Sequence, residues 1–275
     1  MSSQERDFPS IDPKGSPPEL DVTIPHSARM WNYWLGGKDN YAADRQAAEQ
    51  VMAVFPGIVD VARASRALLA RVVAYLAAEA GVRQFLDIGT GLPTADNTHE
   101  VAQAIAPQSR IVYADNDPLV LVHARALLTS SPEGATAYID ADVRDPDTIL
   151  AEAAKTLDFT QPVALVMLGI LGNVPDYEQA QAIVKRLVDA VPSGSYLVVN
   201  DGTDTSTERV QATDRHNEGG VATYFNRSPA QIAGYFQGLD LLEPGVVSAS
   251  RWRPEPNPFG EPPIVDAYCA VARKP

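Results

Sequence analysis

From Arg83 onward the chain alternates short apolar runs with helical stretches, and this alternation limits the possible folds more than any other feature. The apolar runs are Gln84 to Ile88, Ile111 to Ala114, Ala137 to Ile139, Val163 to Leu168 and Tyr196 to Val199. Helical stretches fall between them at about Thr98 to Ile105, Pro118 to Leu128, Thr148 to Leu157 and Tyr177 to Val191. Strands that are apolar at nearly every position are buried on both faces, which calls for parallel pairing through right-handed crossovers. The expected fold class is α/β, a doubly wound sheet. After the fifth strand, Asp201 to Asn226 reads as irregular, and Ser228-Pro229 as the N-cap and first residue of a helix ending before Gly238. Two more strands are expected around Leu239 to Ala249 and Ile264 to Val271. Their connection holds Pro254, Pro256, Pro258, Pro262 and Pro263. It is too proline-rich for a crossover helix, so the last pair is expected to be antiparallel.

Residues 83–275 therefore form the expected α/β domain. Ahead of it, residues 26–82 read as a helical cap or lid. Ser27 to Leu35 is stopped by Gly36-Gly37, about Asn40 to Phe55 by Pro56, and about Ile58 to Ala80 by Gly81. In the last of these, Val61, Ala62, Leu68, Leu69, Val72, Val73 and Leu76 recur at helical spacing and form a core-facing stripe. Residues 1–25 mix Pro9, Pro13, Pro17, Pro18 and Pro25 with scattered charge and no apolar periodicity, the pattern of a mobile arm.

Composition narrows the class of partner. The 275 residues carry a net charge of −13, which opposes a nucleic-acid binder, because affinity for a phosphate backbone comes from clustered Lys and Arg. Small or cationic ligands suit the chain better. Cys269 is the single cysteine, so neither an internal disulfide nor a thiolate zinc cage can form, in keeping with a reducing cytosol. The start lacks a basic apolar signal, and the longest uncharged apolar run, Val163 to Gly172, falls short of the roughly 20 residues of a membrane span. A soluble, cytoplasmic protein is expected.

The stretch Asp87-Ile88-Gly89-Thr90-Gly91-Leu92-Pro93 closes the first strand, where open α/β sheets bind ligands. Its glycines let backbone approach a ligand closely. Asp115 ends the next strand, 24 residues past Gly91, where a carboxylate accepts hydrogen bonds from both ribose hydroxyls and repels a 2′-phosphate. A dinucleotide fingerprint wants a third glycine and an immediate helix. Here Pro93 stands near that glycine position, and the helix is delayed to about Asn97, whose spacing to Glu100 matches a capping box. From Asp87 to Glu100 there are three acids and no Lys or Arg. The loop suits a nucleoside bearing a cationic group and an ammonium, a description that fits S-adenosyl-L-methionine. Asp142 could accept from the adenine amino group while Val143 offers its N–H to a ring nitrogen. Each acid taken alone is equally well read as a turn or N-cap residue; it is their recurrence at three successive strand ends that favours a binding role.

The chain resembles the class I S-adenosylmethionine-dependent methyltransferases, with Asp87 to Gly91 like their first motif, Tyr113-Ala114-Asp115-Asn116-Asp117-Pro118 like the second and Asp140-Ala141-Asp142-Val143 like the third. More narrowly it resembles the actinobacterial S-adenosyl methyltransferase family formerly known as a domain of unknown function. That likeness rests on His26-Ser27-Ala28-Arg29, Leu35-Gly36-Gly37-Lys38-Asp39-Asn40-Tyr41, Gln84 to Thr94 and Trp252-Arg253-Pro254, and runs from about Pro25 to the C-terminus. It implies a Rossmann-like methyltransferase sheet with a reversed last strand, and S-adenosyl-L-methionine as cofactor. By this resemblance Asp87, Gly89, Thr90, Gly91, Asp115, Asn116, Asp142, Val143 and Gly169 are cofactor-binding. It implies no general acceptor. One departure stands out: family members often carry Leu-His-x-Val-Pro-Asp after the fourth strand, and this chain reads Leu171-Gly172-Asn173-Val174-Pro175-Asp176. A role for that histidine cannot be transferred.

In the N-terminal cassette, Trp31 and Trp34 read first as packing residues. Gly36-Gly37 breaks the helix and lets the next four residues project, so Tyr33, Lys38, Asn40 and Tyr41 are expected to line a lid over the methionine end or the acceptor. Lys38 is open to two readings, a carboxylate partner or a solvated lysine beside Asp39. Arg29 and Arg45 are candidates for surface or interdomain ion pairs. Methyl transfer is an in-line displacement for which the protein mainly aligns the reactants, so no strong catalytic motif is required. The candidate bases are His26, His216 and Asp201, whereas His99 and His123 lie on crossover helices and read as structural. Metal is not expected, because strand four ends in Gly169-Ile170-Leu171 with no acid to join Asp201. Asn173-Val174-Pro175-Asp176-Tyr177 only echoes the stretch with which enzymes methylate nucleic-acid amino groups. Three readings remain: a methyltransferase with a small-molecule acceptor, favoured; an S-adenosylmethionine-binding protein or sensor without transfer; and a nicotinamide oxidoreductase, disfavoured by Pro93 and the delayed helix. The sequence leaves the oligomeric state open.

Overall fold

The computed structural model describes residues 21–120, 122, 130–218, 223–258 and 260–275. Three helices come first: α1 (Ser27–Trp34), α2 (Ala42–Val54) and α3 (Ile58–Ala78). The sheet then builds through β1 (Gln84–Ile88), α4 (Thr98–Ile105), β2 (Arg110–Asp115), β3 (Ala135–Asp140), α5 (Pro146–Ala153), β4 (Ala164–Leu168), α6 (Tyr177–Ala190) and β5 (Tyr196–Gly202). The helix expected from Pro118 to Leu128 begins at Pro118, but most of its length, His123 included, lies outside the described residues. So do residues 1–20 of the expected arm.

With β6 (Asp240–Leu241), β7 (Val247–Ser248) and β8 (Ala267–Arg273) added, strand order is β3-β2-β1-β4-β5-β8-β6, with β7 also on β8. The strands from β3 to β5 run parallel, and β8 lies antiparallel between β5 and the short β6 and β7. The strand expected across Leu239 to Ala249 is thus two short pieces. Pro244-Gly245 intervenes in a turn closed by the Gly245 N–H on the Leu242 carbonyl, 2.8 Å, where Pro244 has no N–H for a ladder.

Successive strand residues feed opposite faces. Phe85, Ile111, Tyr113 and Val198 join the α3 stripe in one core layer, and Leu86, Ile88, Val112 and Val199 join α5 and α6 in the other. Arg71 of α3 ties the C-terminal segment down, donating to the Trp252 and Ala249 carbonyls at 3.1 and 2.8 Å. The fully buried Trp252 ring meets Tyr75 edge-on.

The structure corrects one reading: Asp201 to Asn226 is not irregular throughout, but contains α7 (Thr207–Glu218). Only Arg209 and Ala212 of this helix are buried, so it carries no apolar stripe to betray it. Its start was marked nonetheless, by Ser206, whose hydroxyl accepts the Arg209 N–H at 3.2 Å as an N-cap. The helix α8 (Pro229–Gly234) follows the expected Ser228 cap.

Candidate functional site

The carboxyl ends of β1 to β4 open into a cleft of about 450 Å3, bordered by α1, α3 and α7. Gly89 and Gly169 turn the chain sharply away from β1 and β4, each at φ 73°. A Cβ on Gly89 would lie 2.6 Å from Ile170, so at that point backbone alone can form the cleft wall.

Asp115 sits at the tip of β2 with its carboxylate turned back on the loop. One oxygen accepts the Gly91 N–H and the other the Asp117 N–H, both at 2.9 Å, while burial raises its pKa. Thr90, Asn116 and Val143 line the same side. Asp142 is already engaged: Arg144 donates to its two oxygens at 2.8 and 2.5 Å and Asn116 at 3.1 Å. The Arg144 hydrogen bond is the main cause that holds the Asp142 carboxyl below the usual carboxylate range.

Asp87 lies deeper. Burial pushes its carboxyl up to about 6, against the pull of the Thr98 hydroxyl at 2.6 Å and the charge of Arg66. Arg66 comes from α3 and lines the same end of the cleft. It donates to the Ala95 carbonyl through Nε and Nη2 at 3.0 and 2.6 Å, and to Asn97 Oδ1 at 3.0 Å. The loop from Asp87 to Glu100 contains no cation of its own, yet an arginine is delivered to it from another element. Asn97 caps α4 as expected, its N–H donating to the Glu100 carboxylate at 2.8 Å.

The candidate bases sit in three different settings. His26 lines the cleft, and its Nδ1 stands 2.9 Å from Asp117 Oδ2 and 3.4 Å from the Ala28 N–H at the start of α1. Its backbone N–H donates to Asp44 at 2.9 Å, so His26 joins α1, α2 and the end of β2. His216 lines the cleft from α7. Asp201 stands outside the lining, behind Tyr224: it accepts the Gly172 N–H at 2.9 Å, the Gly202 N–H at 3.3 Å and the Tyr224 hydroxyl, and burial pushes it up to about 6. His99 meets the Tyr113 hydroxyl through its ring Nδ1 and its N–H, both at 2.8 Å, within the core.

The cassette residues expected to line a lid are elsewhere. Tyr33, Lys38, Asn40 and Tyr41 are absent from the cleft lining. Tyr33 donates to Glu49 at 2.9 Å, Lys38 is exposed, and Asn40 bridges Asn32 and the Gly37 carbonyl at 2.9 and 3.0 Å. Tyr41 caps α2, its N–H on Asp44 at 2.8 Å, under the guanidinium of Arg29. These side chains brace the cassette. The buried Arg29 lies between Asp44 and Asp117 at 3.5 and 3.7 Å, an ion pair between cassette and sheet, and Arg45 holds the Asn40 carbonyl at 2.8 Å. What faces the cleft instead is Trp31 and Trp34, edge to face with centroids 5.8 Å apart. Their spacing reads equally well as core packing, which is why the sequence alone does not distinguish them.

Two further lining residues gave no sequence signal, Arg209 and Tyr224. The Tyr224 ring covers Gly172, where a Cβ would come within 2.3 Å of it. Among the described residues no group of His, Cys, Asp and Glu is placed to hold a metal ion, and no helix is long and apolar enough to cross a membrane.

A family model described as S-adenosyl methyltransferase matches residues 13–275. A DUF574 family protein from Streptomyces avermitilis MA-4680 is 44% identical with a TM-score of 0.87, over 93% of this chain and 99% of that one. A proposed methyltransferase from Thermobifida fusca YX is 38% identical with a TM-score of 0.84, over 94% and 98%. Magnesium protoporphyrin IX methyltransferase from Synechocystis PCC 6803, solved with bound S-adenosylhomocysteine, is 14% identical with a TM-score of 0.52 over 90% and 93%, a likeness of fold alone. No curated protein matches.

Proposed function

Because the chain belongs to the S-adenosyl methyltransferase family, whose model spans nearly all of it, we propose that this cleft binds S-adenosyl-L-methionine and passes its methyl group to a small-molecule acceptor. The observation that carries the reading is the pairing of opposite charges at the inner end of the cleft, Asp87 and Arg66, beside a glycine loop that ends on Asp115. An amino-acid zwitterion needs one anion and one cation, and a ribose needs an acceptor pair such as the Asp115 carboxylate. Bound there, the cofactor supplies an electrophilic methyl on a sulfonium.

Each residue then has a definable task. Asp87 meets the ammonium and Arg66 the carboxylate of the methionine portion, a task for which the exposed Lys38 stands on the wrong surface. Asp115 holds the ribose hydroxyls, with Gly89, Thr90 and Gly91 giving backbone approach. Asn116, Asp142 and Val143 border the adenine, Asp142 with its charge already shared with Arg144. Gly169 keeps the end of β4 free of side chain where the sulfonium lies. The cassette acts as a lid through Trp31 and Trp34, which exclude water, while Tyr33, Asn40 and Tyr41 hold its shape. His26 and His216 remain the candidates to receive a proton from the acceptor; Asp201, enclosed behind Tyr224, acts as a support. The cleft's modest volume and the net charge of −13 favour a small acceptor over nucleic acid, and the lone, buried Cys269 suits a reducing cytoplasm.

Calorimetry with S-adenosylhomocysteine and NAD tests the reading. Saturable binding of the adenosyl ligand and none of NAD is expected, and Asp115→Ala should weaken it by about 100-fold, the loss of two charge-assisted hydrogen bonds. Binding of NAD alone would overturn it.

A further inference from the structure

Of the arginines that border the cleft, Arg209 is built differently from the others. Arg66 gives its donors to the Ala95 carbonyl and Asn97, and Arg144 gives its own to Asp142. Arg209 is only 6% exposed, and of its guanidinium only Nε makes a hydrogen bond among the described residues, to Asn226 Oδ1 at 3.1 Å. No carboxylate there lies within ion-pair distance of it. The group is clamped between two rings, 5.7 Å from the centroid of Phe55 and 5.5 Å from that of Tyr224. Room for it is made at the end of β5, since a Cβ on Gly202 would lie 2.2 Å from Arg209 Nη2. The residue lines the cleft. Burying a guanidinium without an anion costs free energy that a ligand anion would recover.

Its position separates it from the cofactor's charges. Asp87 lies near the end of β1 and Arg66 within α3, whereas Arg209 is on α7, past the end of β5. The wall contributed by the N-terminal helices includes the apolar and aromatic Trp31, Trp34, Val51 and Ile58, beside His26 and Ser27.

We propose that the methyl acceptor is an aromatic carboxylic acid, its ring against Trp31 and Trp34 and its carboxylate bound by the terminal nitrogens of Arg209, which make no hydrogen bond among the described residues. This rests on the methyltransferase reading. A planar guanidinium presents the two parallel donors that a carboxylate takes, whereas a neutral amide of the same shape can satisfy only part of the fork.

The test uses the full chain saturated with S-adenosylhomocysteine, so that Arg66 is occupied. Monocyclic and bicyclic aromatic carboxylates, beginning with benzoate and naphthoate, are titrated against their own carboxamides. At least one carboxylate is expected to bind about tenfold tighter than its carboxamide, with affinity falling as salt is added. Arg209→Gln should reduce that preference to about twofold while S-adenosylhomocysteine still binds, and Arg209→Lys should retain part of it. Should Arg209→Gln fail to fold, the carboxylate-to-carboxamide ratio and its salt dependence in the unmodified protein decide alone. Equal binding of each acid and amide, a preference that survives Arg209→Gln, or no binding by any carboxylate at millimolar concentration overturns the proposal. Failure of S-adenosylhomocysteine itself to bind strikes the methyltransferase reading instead, and is seen before any acid is added.

Discussion

The ends of β1 and β5 carry the same residue in the same place with opposite surroundings. Asp87 and Asp201 each hold the penultimate position of a buried strand, are 5% and 1% exposed, and are pushed up to about 6 mainly by burial. Asp87 borders the cleft, with the Thr98 hydroxyl as its one described hydrogen-bond donor and Arg66 across from it. Asp201 accepts from two backbone N–H groups and a phenol, and the Tyr224 ring shuts it off. A raised carboxyl is therefore no marker of a functional group by itself. The difference lies in whether any of its acceptor capacity is left facing a space that a ligand can enter.

Paired substitutions give the largest test of that contrast. Asp87→Ala should weaken S-adenosylhomocysteine by about 100-fold in calorimetry and leave thermal stability nearly unchanged, because it removes a ligand contact together with a costly buried charge. Asp201→Ala should do the reverse, lowering stability by about 2 kcal/mol in urea unfolding as its three donors lose their acceptor, with ligand affinity within about threefold. If both variants lost binding equally, the two aspartates would belong to one site and the contrast would collapse.

Gly172→Ala probes the closure over Asp201. The added methyl would come within 2.3 Å of the Tyr224 ring, so the ring must swing out or the chain must strain. A loss of about 1–3 kcal/mol is expected in the same unfolding assay, with the adenosyl affinity retained. The same geometry gives Gly172 a local account: the Tyr224 ring leaves no room for a side chain there.

How far the sequence reaches differs between the two ends in the same way. At β1 the chemistry is contiguous: glycines, an acid, a capping box and a second acid one strand later lie in patterns with known geometric meaning, and the glycines and both acids line the cleft. Beyond β5 the residues meet only through tertiary packing. Arg209 belongs to a helix without an apolar stripe, Tyr224 matters because of a glycine 52 positions earlier, and Arg66 hides among the stripe of α3. The cassette is less legible for a related reason. Polar side chains after Gly36-Gly37 read as projecting, but the buried Asn32 and Asp44 draw Asn40 and Tyr41 inward, and the tryptophans are left at the cleft.

The subtlest break in the symmetry is in pH dependence. A carboxyl whose folded pKa lies above its unfolded value binds its proton more readily in the folded state, so the stability it contributes is present below about pH 4 and is lost as pH rises through about 6. Asp87 and Asp201 both add this downward slope to the ligand-free protein. A ligand ammonium beside Asp87 favours its ionised form and lowers its pKa, which removes that half of the slope and leaves the half from Asp201. The affinity for S-adenosylhomocysteine must then rise with pH across the same window, by about tenfold from pH 5 to pH 7 for a group titrating near 6. Asp87→Asn should flatten this dependence and Asp201→Asn should leave it in place, as read by calorimetry at constant ionic strength. A rise that persists in Asp87→Asn would assign the coupling to another group, with Asp115, also raised by burial, the first to examine.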